Sequence, residues 1–539
     1  MKQMLCMLSF AVGILSSCSS NLTHSEFFTP VNENTLRAPA YPLVTIDPYT
    51  SGWSMSDRLN ADQVRHWTGK AFHLLGVIRI DGKCYRFMGE EKTPLQSLLP
   101  TAALEKWEAS YTYSQPKGDW TQIQFDDSSW KQGKAAFGTP EMHHLSTTWQ
   151  TPDIWVRRSF EVTDDWNGKE LFLNYSHDDV FELYVNGKEI VNTGHTWKND
   201  VMLELNDEVK ALLKPGKNVI AAHCHNSEGG AYVDFGLSEK MPDATFFTEA
   251  AQQKSAVVMP TQTYYTFECG GVQLDVVFTA PLLIDDLDKM TRPINYLSYQ
   301  VKPLDGSAHD VQIYLEATSS WATNVPGQEV SSMIDQTSNG VTYAKTGTTA
   351  QPILGTRGDD VRIDWGYFYL ASATRPNSSI GIGDFKDMKK AFSEQGFFST
   401  EKIMAPSNSE QSLGYVDNLG KVSSSASGFA MIGYDDIYAI QYYGDNRMAY
   451  WKHDGKVDMN QALDQAASDY VTTLDRCRDL DKKLMKDAYD AGGQQYAELC
   501  ALAYRQAIAA HKLVEDKEGN LLFFSKENFS NGSIGTVDV

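Results

Sequence analysis

Residues 180–191 read VFELYVNGKEIV, with apolar and polar side chains alternating on both sides of Asn186-Gly187. Asn-Gly tolerates positive φ at two successive positions, which a two-residue type I′ turn requires. The stretch therefore predicts a β-hairpin. Working outward, IWVRRSFEV (154–162), ELFLNYS (170–176) and NVIAAHCHN (218–226) are further short alternating segments. Lys214-Pro215-Gly216-Lys217-Asn218 is turn chemistry ahead of the last of them. Short strands at close spacing, with almost no helical periodicity, predict a β-sandwich over residues 107–240.

The same period-two pattern returns in QLDVVFTAPLL, INYLSYQVKP, DVQIYLEATSSWA, DDVRIDWGYFYLA and DIYAIQYYG, all within residues 250–455. In the fourth, Val361, Ile363 and Trp365 are expected on one face and Arg362 and Asp364 on the other. Long aromatic strands of this kind predict a second, larger sandwich. Upstream, LLGVIRI and CYRFMG flank Asp81-Gly82 and predict another hairpin within a β segment at 41–106. From residue 458 the pattern becomes helical. Tyr496, Leu499, Cys500, Ala503, Ala507 and Ala510 fall at helical spacing and make one apolar stripe, on at most two long helices that offer few partners to cover it.

The chain has 539 residues, 42% of them hydrophobic and 12% aromatic, enough for several domains with large cores. Its net charge of −22 repels phosphate backbones and argues against nucleic-acid binding. At the start, Lys2 precedes the apolar run MLCMLSFAVGIL, which is too short for a membrane span and fits a signal peptide at residues 1–18. Leu15-Ser16-Ser17-Cys18 resembles a bacterial lipobox, which implies lipidation at Cys18. Residues 19–40 read as a polar tether. The chain is then expected to cross the inner membrane and stay lipid-anchored, facing outer membrane or periplasm, with the lipid as its sole membrane contact. The alternative is an ordinary signal peptide with an incidental cysteine. Cys84, Cys224, Cys269, Cys477 and Cys500 remain, without CxxC spacing, and are expected as buried free thiols rather than a disulfide framework or zinc ribbon.

Trp155–Phe160, Asp178–Gly187 and Leu213–Ala221 together resemble the galactose-binding-like jelly rolls found beside many glycosidases. More specifically, RAPAYPLVTIDPYTSGWS (37–54), VRHWTGKAFHLLGVIRIDG (64–82), YTFECGGVQLDVVFTAPLL (265–283), GDDVRIDWGYFYLA (358–371), YAELCALAYRQAIAAHKLV (496–514) and FFSKENFSNGSIGTVDV (523–539) resemble the secreted microbial glutaminase A family. The resemblance covers nearly the whole mature chain. It implies a mainly β, multidomain protein whose residues 458–539 are the first helices of an α/α toroid like those of several glycosidases. It also implies hydrolysis of L-glutamine to L-glutamate and ammonia without a cofactor. A toroid needs about a dozen helices. The final phrase is therefore expected to be a loop between the first toroid helices, in a C-terminally truncated chain that is inactive or impaired. The alternatives are a carbohydrate-active protein, or a non-catalytic glycan-binding surface protein.

Few residues carry chemistry by themselves. His223 and His225 share one face of a strand and could grip a metal, but no third ligand is identifiable, and a core role is the commoner one. Asp178 and Asp179 would point to opposite faces, so they suit turn hydrogen bonding or a ligand rim rather than a catalytic pair. NGSIG lacks the first glycine of G-x-S-x-G, and Ser399-x-x-Lys402 is too short a match to S-x-x-K to mean anything. Glu527 and Asp538 lie in a Gly/Ser/Asn-rich loop and are the remaining weak candidates for an acid or base, against a plain turn-and-cap role.

Overall fold

The computed structural model describes residues 25–525, apart from 92–94, 164–165, 167, 242–244, 356–360, 374–376 and 399–401. Its centre is a sandwich of two antiparallel sheets. The nine-stranded sheet runs from Gln252–Val258 at one edge, through Val272–Thr279, Ile294–Pro303 and Ala426–Asp435, to Ile403–Ser407 at the other. The five-stranded sheet has His309–Thr318 in the middle, flanked by Ser412–Val422 and Leu74–Ile80. Their facing side chains, among them Phe267, Leu297, Ile313, Trp321, Leu370 and Tyr415, form one continuous apolar core.

The strands Leu74–Ile80 and Lys83–Met88 therefore belong to the same sandwich as residues 250–455, although they lie some 170 residues upstream of it. They turn at Asp81-Gly82, both at positive φ, as the sequence predicts. The hairpin at Asn186-Gly187 is also present, with φ of 48° and 92° and Val185 opposite Lys188. It lies in a second sandwich of two six-stranded sheets around Trp149, Leu173, Phe181, Phe235 and neighbours. This unit begins earlier than residue 107, because Leu95–Leu99 pairs with Tyr232–Lys240.

Six helices occur among the described residues: α1 (Asp207–Lys210), α2 (Leu287–Thr291), α3 (Phe385–Gln395), α4 (Met459–Ser468), α5 (Tyr470–Gly492) and α6 (Gln494–Ala509). α4 begins with a capping box between Asp458 and Gln461, which satisfies two of the N–H groups a helix start leaves open. α4, α5 and α6 pack on the outer face of the nine-stranded sheet, where Phe429 and Tyr470 stack 3.8 Å apart. No helix among the described residues is long and apolar enough to cross a membrane. The five cysteines are free: Cys224 and Cys477 are buried, the others half-buried.

Tyr496, Leu499, Ala503 and Ala507, the stripe expected to lack cover, are exposed, and α6 buries Ala497, Glu498, Ala501, Leu502, Arg505 and Ala509. Alanines let the helix approach the sheet closely, and its two buried charged side chains find partners there. Glu498 accepts the Thr35 N–H at 2.9 Å, and Arg505 Nε donates to the Pro260 carbonyl at 3.0 Å. Residues 511–525 do not continue a helix but form a hairpin, His511–Glu515 with Leu521–Ser525. Two long helices, α5 of 23 residues and α6 of 16, precede it, with the ten-residue α4 before them. Finally, residues 361–364 are not a strand with one polar face. Arg362 and Asp364 are buried alongside Val361 and Ile363, because Arg362 Nε reaches the Asn324 carbonyl at 2.9 Å and Gln328 donates to Asp364 at 2.8 Å.

Candidate functional site at the junction of sheet and helices

The turn Asp47-Pro48-Tyr49-Thr50 follows the strand Tyr41–Thr45. Asp47 Oδ1 accepts the N–H groups of Tyr49 and Thr50, both at 2.9 Å, so the side chain closes its own turn. Its second oxygen, Oδ2, meets Lys512 Nζ at 2.5 Å, and Asp436 Oδ2 meets the same nitrogen at 2.7 Å. All three side chains are at most 7% exposed. Burial alone would lower the Lys512 pKa, but Asp436 and Asp47 outweigh it, and the pKa is raised.

The cluster carries two carboxylates and one ammonium, a net charge of −1 in a buried setting. Asp436 Oδ1 and the hydroxyls of Thr45, Thr50 and Ser51 are buried without a partner. A cavity of about 20 Å³ beside Lys512, lined by Ile46, Thr291, Ala449, His511 and Phe523, has room for on the order of one water. A lysine held protonated is a poor nucleophile, and carboxylates bound to it are poor bases. What the cluster does well is fix position: it ties the hairpin 511–525 to two distant β segments.

A second latch lies at α5 and α6. Asp481 Oδ1 accepts both the N–H and the hydroxyl of Thr261, at 2.8 and 2.9 Å, while its other oxygen has no partner. Burial pushes the Asp481 pKa up to about 7, against the opposing pull of Thr261 and Arg505. A third network, Glu316 with His73, Lys389 and the Tyr314 hydroxyl, is sealed under α3 with every member at most 3% exposed. Burial there is outweighed by Lys389 and His73, which hold Glu316 below its usual range. No substrate can reach it.

The residues singled out in the sequence are dispersed. His223 Nε2 and His225 Nδ1 both contact Asp153 Oδ1 at 2.9 Å, and the His223 ring stacks on Trp155 at 4.6 Å. Among the described residues no group of three or more His, Cys, Asp or Glu is arranged to hold a metal ion. Asp179 accepts the Ser227 and Glu228 N–H groups at 2.6 and 3.3 Å, and so holds a distant loop rather than its own turn. Asp178 is half-buried and does not join Asp179 at a common site; burial raises its pKa. Cys18, Ser399, Glu527 and Asp538 lie outside the described residues. Asp47, Asp436 and Lys512 were not anticipated. Asp47 lies inside the quoted phrase 37–54 and Lys512 inside 496–514, but no local pattern links residues 465 positions apart.

Fold and junction together define a class: a multidomain β protein carrying a helical segment docked on the larger sandwich. Residues 493–539 match the glutaminase A six helical-hairpin domain, while residues 12–100 and 261–487 match two domains of unknown function, DUF4964 and DUF5127. Glutaminase A of Aspergillus oryzae is 29% identical over 301 residues, 54% of this chain and 43% of the relative. These matches support a glutaminase A-like family. The chain spans less than half the length of that curated relative. Among solved structures, a glycosyl hydrolase family 2 member from Bacteroides cellulosilyticus overlaps 52% of this chain and 34% of its own, at 10% identity and a TM-score of 0.21. A beta-glucuronidase from Ruminococcus gnavus overlaps 54% and 46%, at 12% identity and the same TM-score.

Proposed function

We propose that this protein is an amide hydrolase of the glutaminase type, converting L-glutamine and water to L-glutamate and ammonia. One observation carries the reading. Lys512 lies in the segment that matches the glutaminase A hairpin domain, and its two carboxylate partners lie in the other two matched segments. A single buried ion cluster thus seats the hairpin domain on its β platform. Ammonia release from L-glutamine by the purified protein is the test. Turnover of glutamine supports the reading; cleavage of aryl glycosides without ammonia release would replace it with the carbohydrate-active alternative. That alternative draws on the sandwich around Phe181, which lies between the matched segments and exposes Trp197 to 42%.

We also propose lipid attachment at Cys18, supported by Leu15-Ser16-Ser17 ahead of it. Expressed in a bacterium, the protein should fractionate with membranes, and Cys18→Ala should move it to the soluble fraction. A Cys18→Ala chain that stays on the membrane would rule the anchor out.

A further inference from the structure

α6 reads QQYAELCALAYRQAIA, and Glu498 and Arg505 are its only charged residues. Both face inward, held by the Thr35 N–H and the Pro260 carbonyl. The outward side of the helix therefore carries no charge. It presents Tyr496 and Leu499, 49% and 55% exposed, followed by the exposed Ala503 and Ala507. The neighbouring α5 shows what a solvent-facing helix in this chain otherwise carries: Lys482, Lys483, Lys486, Asp487 and Asp490 are all exposed. Single exposed apolar residues need no explanation, but a contiguous row of them on an uncharged helix face marks an interaction surface.

Two features of the row point to a second copy of this chain as its occupant. The first is charge. At a net −22, two copies repel each other over most of their surface, and an uncharged face lets them meet with the least repulsion. The second is shape. Tyr496 and Leu499 stand proud in the N-terminal half of the row, while Ala503 and Ala507 leave the C-terminal half low. Turned antiparallel about a two-fold axis, the high half of each helix lies over the low half of the other. With Ala503 on the axis, Leu499 of each copy covers Ala507 of the other.

We propose that the outward face of α6 pairs two copies of this protein through an antiparallel helix contact. A helix of 16 residues is about 24 Å long. One such pair buries an area at the low end of specific interfaces, so the dimer is weak, with a Kd of roughly micromolar. The pairing does not rest on the glutaminase reading, and its test measures no turnover.

Sedimentation equilibrium on the full chain decides the matter. The mass should rise from the monomer value towards twice that value as concentration passes through roughly the micromolar range. Leu499→Glu and Ala507→Lys stand at exposed positions, so each chain keeps its fold. Each variant alone should weaken association about tenfold or more, because it buries an unpaired charge at the contact. Mixed together, the two variants should pair again. The new carboxylate of one chain then meets the new ammonium of the other, and Leu499 still covers Ala507 at the symmetric contact. A chain that stays monomeric up to about 100 μM would overturn the proposal. So would association that Leu499→Glu leaves unchanged, or variants that fail to pair on mixing. A monomer whose melting temperature falls on Leu499→Glu would assign the face to residues 526–539 of the same chain, and would equally overturn the pairing.

Discussion

Replacing Lys512 with methionine is expected to cost on the order of 3–5 kcal/mol of stability, because it leaves two buried carboxylates facing each other with no cation. Asp47 and Asp436 are each 4% exposed, so water cannot take over the role of the ammonium. The hairpin 511–525 should then detach from the turn at Asp47 and become open to proteases, while the sandwich around Phe181 keeps its own melting transition. The denaturation midpoint of the Lys512→Met chain measures the loss. Adding Asp436→Asn to Lys512→Met should recover part of it by removing one of the stranded charges. A Lys512→Met chain within about 1 kcal/mol of the parent would show that the cluster is solvated and ties nothing down.

The second large effect concerns pH and Asp481. Its carboxyl has a pKa of about 7 in the folded chain against an ordinary 3.8, because burial disfavours the anion. With the folded value above the unfolded one, the protonated form is the one that the fold favours. Its contribution is full below pH 3.8 and is lost as pH rises through about 7. That span is equivalent to on the order of 4 kcal/mol. Asn at position 481 keeps an oxygen for the Thr261 N–H and hydroxyl and cannot ionise. Asp481→Asn should therefore raise stability at pH 8 by roughly 2–4 kcal/mol and change it little at pH 4. Equal stability of the two chains at both pH values would mean that Arg505 keeps the carboxylate ionised in the folded state.

Both latches also mark the limit of local reading. The two hairpins at Asp81-Gly82 and Asn186-Gly187 were legible because a turn needs only its own two residues to adopt positive φ. Most of the strands were legible because period-two alternation is a property of neighbouring side chains. The family resemblance was legible in the long phrases around residues 37–54, 265–283 and 496–514, and the matches to family domains cover those phrases.

The hidden part depended on partners far away in the chain. Residues 511–525 gave no helix because the hairpin pairs His511 with Ser525 and closes on a turn held by Asp516. The alternation in 361–365 misled because burial on both sides was made tolerable by Asn324 and Gln328, which local periodicity does not show. Apolar spacing in α6 did not show which face is buried, for the same reason. Glu498 and Arg505 look like solvent-facing residues until Thr35, Met259 and Pro260 are brought beside them. Sequence by itself determined most strands, the two Asx-Gly turns and the onset of the helical segment, since those follow from short-range sterics and side-chain periodicity. Tertiary structure alone decided which charged side chains are buried and joined, as with Asp47, Asp436 and Lys512, because desolvating a charge is tolerable only where distant segments supply its counter-charge.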